Sequence, residues 1–448
     1  MLRSVRSLHI RSQTLVKGRG LANAAPKFPA QSQGHLPTSN SPLVSKLQFF
    51  NSVTSESGQI PTYRVLDGMG KLIDGAEVPD ALSEDFARRL YENMQLLPTL
   101  DNLLYNVQRQ GKISFYVTSY GEEATIIGSA AALAPDDEVL GQYREMGVLL
   151  WRGFGVNSVM AQCFGNQEDK SGKGRQMPMH FGSPELHFHT ISSTLATQIP
   201  HAAGVGYALK RDPSRRGKNV AVVYFGEGAA SEGDFHAGML LASTIPAPTV
   251  FIARNNGFAI STPASEQFYG DGIAARGPGY GVDTVRVDGN DILAVLNAVK
   301  EARRRCLESG RAVLIEAMTY RVGHHSTSDD SFAYRGRQEV EDRKKIDNPI
   351  TRFRLFMESQ GWWSSDEEEE LKRRLKKDVL EAFKRAEGVK RHQLKELFSD
   401  VYGGQEPWNI KEQREELASL LKKYGEVWEP WRNELGNFQD KGQELFKE

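Results

Sequence analysis

The sequence predicts an α/β fold, a mostly parallel sheet flanked by helices, with a helical C-terminal extension. Three observations carry this. The apolar runs Val220–Phe225, Thr249–Ala253, Thr284–Val287 and Val313–Ala317 have strand length and lack polar alternation, the mark of strands covered on both faces. Helical patterns at Ser231–Ser243 and Ile292–Glu308 separate them, so the order reads as strand-helix crossovers, which are right-handed. Beyond residue 360 the pattern becomes highly charged, with apolar residues every four positions.

The chain of 448 residues divides into a basic leader and spacer (1–45), an α/β domain with an N-terminal arm (46–360) and a helical region with a tail (361–448). The leader carries Arg3, Arg6, Arg11, Lys17 and Arg19, and the first acidic residue is Glu56. An Arg-rich, Ser-rich, acid-free start resembles an organellar transit peptide, mitochondrial in type, and lacks the apolar core of a secretory signal; a plain basic tail is the alternative. The formal net charge of -1 offers nothing to a nucleic acid, and two cysteines, Cys163 and Cys306, make no disulfide framework or thiolate cluster. No apolar run is long enough to span a bilayer as a helix.

In chain order, Phe86, Leu90, Met94 and Leu97 place a helix over residues 83–108, with Pro98 as a kink point. Ile113, Phe115 and Val117 alternate briefly before Gly121, and EEATIIGSAAAL starts a second helix rich in small residues. GNQEDKSGKGRQMP is a loop, and residues 191–211 read as a turn entering a helix that Pro200 kinks. Leu371, Leu375, Val379 and Phe383 define an amphipathic helix, and a further helix covers residues 410–424.

The chemistry collects at two strand ends, FGEGAASEGD and RNNGFAISTP. Ligands of open parallel sheets sit beyond the C-terminal ends of strands, and a helix start there offers N–H groups to phosphate. Glu227 and Asn256 are oxygen donors suited to a hard divalent cation that also grips phosphate oxygens, Mg²⁺ with a diphosphate being the natural case. GxxxxGK[ST] is absent and the GxGxxG spacing fails, which removes the P-loop and dinucleotide readings. Gly-Glu-Gly alone is also compatible with an ordinary tight turn.

The pair, Gly-Glu-Gly followed nearly thirty residues later by Asn-Asn, resembles the thiamine-diphosphate signature. From about Ile60 to Gly403 the chain resembles the alpha subunits of mitochondrial branched-chain 2-oxoacid dehydrogenases, the decarboxylating E1 component. GQYREMGVLL, GKGRQMP, ATQIP, FGEGAASEGD, RNNGFAISTP, GDGIAARGPGYG, RVDGND, EAMTYRVGHHSTSDD and SQGWW carry the resemblance. It implies a thiamine-diphosphate-binding fold. It also implies decarboxylation of branched-chain 2-oxo acids in branched-chain amino-acid degradation, with acyl transfer to the lipoyl group of an acyltransferase. A pyruvate or broad-specificity 2-oxoacid dehydrogenase alpha subunit is the runner-up and shares the cofactor chemistry; the pyruvate-specific relative is less like this chain around the His-His-Ser-Thr-Ser-Asp-Asp run. A non-catalytic phosphate-ligand scaffold is the alternative of another class; Glu227, Asn256, Arg254 and His325 argue against it.

By resemblance, Glu227 and Asn256 bind Mg²⁺ with the backbone carbonyl of Phe258. Arg254, Tyr143 and Arg144 contact the diphosphate, Gly228 and Ala229 approach it by backbone, and Gln142 lies on the same wall. Without the resemblance, Tyr143 and Arg144 read as a packed ring and a surface salt bridge. Ser193 and Leu195 contact the aminopyrimidine end. Ser192, the carbonyl of Thr194, Thr197 and Gln198 form a structural K⁺ site; SSTLATQ also reads as an N-capped helix start. His325 lies by the reactive carbon and assists acyl transfer, with Arg321 holding its loop. Ser326 resembles a site of regulatory phosphorylation, for which a kinase is implied, and the family's second site is Gly336 here. The family takes the glutamate that activates the cofactor from a beta subunit, so the active unit is an α2β2 heterotetramer. The tail from Val427 departs from the family and could pack on the beta subunit through Trp428 and Trp431.

Overall fold

The computed structural model describes residues 41–50, 59–399 and 401–442. The expected transit peptide, and residues 443–448 of the tail, lie outside them. The strands are β1 (Leu43–Val44), β2 (Thr62–Tyr63), β3 (Glu138–Leu140), β4 (Phe188–His189), β5 (Ala221–Gly226), β6 (Thr249–Asn255), β7 (Phe258–Ala259), β8 (Thr262–Pro263), β9 (Asp283–Asp288) and β10 (Val313–Met318). Eight of them form one sheet in the order β1-β2-β9-β10-β6-β5-β3-β4, and every pairing in it is parallel. β7 and β8 make an antiparallel hairpin beside it.

The apolar runs are continuous because both faces of the sheet are covered. Val222 and Tyr224 of β5 join one core with Val250 and Ile252 of β6, under the helices Glu84–Arg109, Glu123–Ala131 and Ile292–Ser309. Val223 and Phe225 point into a second core with Phe251, Ala253 and Leu314, under the helices Gln198–Arg211 and Gly233–Thr244. Alternation is present in direction but not in polarity, as a doubly covered sheet requires.

The helices stand close to where the periodicity puts them, with instructive differences. The expected helix 231–243 begins at Gly233, and one short turn, Glu227–Ala230, precedes it directly on β5. Glu84–Arg109 runs through Pro98. Pro200 is the third residue of Gln198–Arg211, where backbone N–H groups have no intrahelical acceptor, so its ring removes no hydrogen bond. Thr197 is the residue before that helix, and its side chain makes no capping bond.

The helix Ser365–Gly388 buries Leu371, Leu375 and Val379 in the first core, beside Leu90 and Met94 of the first long helix. Glu368 fastens the two: it accepts from Tyr91 Oη at 2.9 Å, Gln95 Nε2 at 3.0 Å and Trp363 Nε1 at 3.0 Å. The next helix, Trp408–Lys423, buries none of its residues. No helix among the described residues is long and apolar enough to cross a membrane.

Candidate active site

Register aligns the site. Gly226 of β5 pairs with Arg254 of β6, and Arg254 with Ala317 of β10, so three strands end level. The residues just beyond those ends are Glu227, Asn256 and Arg321. β3 ends beside β5 and leads into Gln142, Tyr143 and Arg144. Four strand ends therefore deliver most of the expected residues to one rim.

Glu122, at the entrance to the helix Glu123–Ala131, organises the rim. Its fully buried carboxylate accepts from Arg254 Nη1 at 2.5 Å and Asn256 Nδ2 at 2.9 Å, with Arg144 Nε at 3.9 Å. Glu145 takes Arg254 Nε at 2.5 Å and the Gln142 backbone N–H at 2.6 Å. Burial opposes ionisation of Glu122, but Arg254 and Arg144 hold its pKa below the usual carboxylate range. Gln142 in turn accepts the Gly226 N–H at 3.1 Å, tying the ends of β3 and β5 together.

Glu227 is the opposite case. It is 1% exposed, and its Oε1 has no hydrogen-bond partner. Burial, with a push from Glu122, raises its pKa to about 8, against the pull of Arg254 and Arg321. A buried carboxylate oxygen without a partner is costly unless something charged meets it. The Asn256 amide nitrogen is committed to Glu122, and its Oδ1 accepts the Phe258 N–H at 3.3 Å with a second lone pair to spare. At Gly228 an added Cβ would come within 3.0 Å of Ala259 Cβ, so the backbone turn packs against the β7 strand.

Arg321 shows the same want of a partner with opposite sign. Nη2 donates to Ile260 O and Tyr334 Oη, each at 2.7 Å, while Nε and Nη1 are buried and unpartnered. Burial and nearby Arg144 lower its pKa. An orphan carboxylate and an orphan guanidinium on one rim fit a metal-bound diphosphate, the metal meeting one and the anion the other.

His325 lies above this rim. Its Nε2 is 3.1 Å from Tyr143 Oη, its backbone N–H donates to Asp329 Oδ2 at 2.8 Å, and its backbone carbonyl accepts from Arg144 Nη2 at 2.9 Å. Burial, then Arg144 and Arg321, lower its pKa to about 3 against Asp329, so the imidazole is neutral. Asp329 also accepts from Tyr334 Oη at 2.7 Å, closing a ring from Arg321 to His325. Gly121 is where the neighbouring segment crosses this loop. Its φ is +91°, and a Cβ there would lie 2.0 Å from Tyr320 O, so a side chain is excluded.

The segment Ser192–Gln198 is built differently. Ser192, Ser193 and Thr194 are exposed, and Leu195 packs against the second core. Gln198 donates Nε2 to Tyr224 O at 2.9 Å, leaving its Oε1 as the free pole. Ser193 Oγ lies 2.5 Å from His180 Nε2. Ser326 is buried, and its Oγ accepts from the Ser328 N–H at 3.3 Å.

Glu122, Glu145, Asp329, Tyr334 and His180 escaped the site reading of the sequence. Glu145 sits in QYREMG and Asp329 in STSDD, both inside recognised motifs. For Glu145 the available signal was a lone acid beside Arg144 in a stretch that turns apolar, GQYREMGVLL; the others carried no such signal.

The description "Dehydrogenase E1 component" fits residues 91–395 of this chain. The chain is similar to the alpha subunit of mitochondrial 2-oxoisovalerate dehydrogenase of Homo sapiens, with 51% identity over 91% of each sequence. It is 51% identical to the Caenorhabditis elegans protein of that name over 86% of this chain and 87% of the relative. It is 53% identical to alpha subunit 1 of Arabidopsis thaliana over 84% of this chain and 78% of the relative.

Proposed function

The chain belongs to the dehydrogenase E1 component family, among its mitochondrial 2-oxoisovalerate dehydrogenase alpha subunits, and from that premise we propose how its residues work. Members of this family depend on thiamine diphosphate. The observation that carries the site reading is the orphan oxygen of Glu227 beside an Asn256 whose amide is oriented by Glu122.

Glu227, Asn256 Oδ1 and the Phe258 carbonyl hold Mg²⁺. Arg144, Arg254 and the unpartnered face of Arg321 meet the diphosphate, with Tyr143, Gly228, Ala229 and Gln142 closing the wall. Arg254 already serves two carboxylates, so its Nη2 is the contact that remains. When bound, the cofactor supplies the carbanion that attacks the 2-oxo carbon and the electron sink for decarboxylation.

The chain's own work is binding, orientation and exclusion of water. His325, neutral and held by Tyr143, Arg144 and Asp329, presents an imidazole to the reacting acyl group. Ser193 and Leu195 face the aminopyrimidine end. The Gln198 Oε1, Thr197, Ser192 and the Thr194 carbonyl hold K⁺. A phosphate on Ser326 would add up to about two negative charges close to Asp329 and break the ring that holds His325.

The glutamate that activates the aminopyrimidine would come from a beta subunit, as the family resemblance implies. An α2β2 assembly then passes the acyl group to the lipoyl group of an acyltransferase core. The test is turnover of the 2-oxo acids of valine, leucine and isoleucine, and of pyruvate, by the chain alone and co-expressed with its beta subunit. Activity is expected only in the co-expressed assembly and weakest on pyruvate; full turnover by the chain alone overturns the divided site.

A further inference from the structure

We propose that His180 is a positioning residue for the cofactor contact Ser193, fixing its hydroxyl as an acceptor; the proposal rests on the Ser193 reading above. His180 is buried, and the contacts on its two ring nitrogens differ in kind. Nδ1 lies 3.1 Å from Met177 O and 3.2 Å from Pro178 O. Both are carbonyls and can only accept, so Nδ1 carries the proton. With the Nδ1 proton so placed, Nε2 is the ring's acceptor position, and there Ser193 Oγ, at 2.5 Å, donates to it. The serine proton is therefore turned inward and its lone pairs outward, toward an N–H donor of the ligand.

The support behind His180 is over-determined. Gln162, itself buried, donates Nε2 to Met177 O at 2.7 Å and accepts the Met179 N–H at Oε1 at 3.0 Å. Between those bonds Met179 is held at φ +74° with no exposed surface. A non-glycine residue is strained in that region and persists only where its surroundings impose it. On the other side, the Ile191 N–H donates to Phe181 O at 3.0 Å, which clamps the segment carrying Ser193 to the one carrying His180. The chain Gln162, Met177–Met179, His180, Ser193 thus joins a buried helix to an exposed serine.

Two substitutions separate positioning from support. His180→Asn keeps a donor near the Nδ1 position but cannot reach Ser193. His180→Gln places an acceptor near the Nε2 position but gives up the loop carbonyls. In the co-expressed αβ assembly, calorimetric titration with thiamine diphosphate and Mg²⁺ should show about a tenfold weaker Kd for His180→Asn, the size of one hydrogen bond. His180→Gln should recover most of that loss, and in a Ser193→Ala background His180→Asn should have no further effect. Equal losses in both His180 variants, or additivity with Ser193→Ala, overturn the proposal. If Ser193→Ala leaves Kd unchanged, the Ser193 reading fails, and with it the proposal. If Ser193→Ala weakens binding and His180→Asn does not, His180 alone is wrongly assigned.

Discussion

The rim around Glu227 and the segment Ser192–Gln198 are two halves of one proposed site, and they are built in opposite ways. The rim is buried and dense with charge; Arg254, Glu122 and Glu145 fix one another from distant parts of the chain, while one oxygen of Glu227 and two nitrogens of Arg321 are left without partners. The segment is exposed at Ser192, Ser193 and Thr194, and rests on one histidine and one glutamine. A chain that completes a site by itself buries its polar groups and pairs them. One that shares a site leaves the shared part half-built. The difference agrees with the proposed division, in which this chain takes the diphosphate end and a second chain the other.

The largest effect should come from Glu227→Ala. Cofactor affinity in the presence of Mg²⁺ should fall by about a thousandfold, or ~4 kcal/mol. The ligand-free assembly should unfold at a higher temperature, because an unpartnered buried carboxylate has been removed. Unchanged calorimetric affinity would sink the metal assignment. Glu122→Gln comes next. Arg254 loses one of its buried counter-charges, and the ligand-free protein should lose about 3 kcal/mol of stability. A midpoint of thermal unfolding within a degree of the parent's would mean the rim is not held by Glu122.

His325 gives a smaller, pH-dependent effect. Its folded pKa of about 3 lies below the ordinary 6.5, so between those values the unfolded chain binds a proton that the folded one refuses. Its contribution is complete above pH 6.5 and is lost as pH falls toward 3. His325→Asn should flatten the acid side of the stability profile, and an unchanged slope between pH 4 and about 6.5 would contradict its buried neutral state. Thr197→Val is the mildest change. Its hydroxyl makes no capping bond, so the variant should fold as the parent does, while K⁺-dependent protection against heat falls by about 1 kcal/mol. Protection that persists in full would remove Thr197 from the K⁺ site.

Much of this was legible in the sequence, for identifiable reasons. β5, β6, β9 and β10 are long enough, and apolar enough on both faces, to be read within two residues. Gly-Glu-Gly and Asn-Asn-Gly were legible because each follows such a strand directly. β1, β2, β3 and β4 have two or three residues apiece, too few to form a pattern. The partnership of Arg254 with Glu122 and Glu145 spans 132 and 109 residues, and no local pattern says which buried acid will meet which arginine. His180 was hidden because its role depends on two carbonyls and a serine that only the fold brings together.

The bond between Tyr91 and Glu368 joins residues 277 positions apart. At ordinary rates of synthesis, Glu368 leaves the ribosome on the order of 15–55 s after Tyr91. For that interval Leu90 and Met94 have a covering helix that does not yet exist. The first long helix of this protein is thus among the first elements made and among the last sheltered, and a nascent chain halted before residue 388 presents an apolar stripe to whatever chaperone or neighbour is nearby.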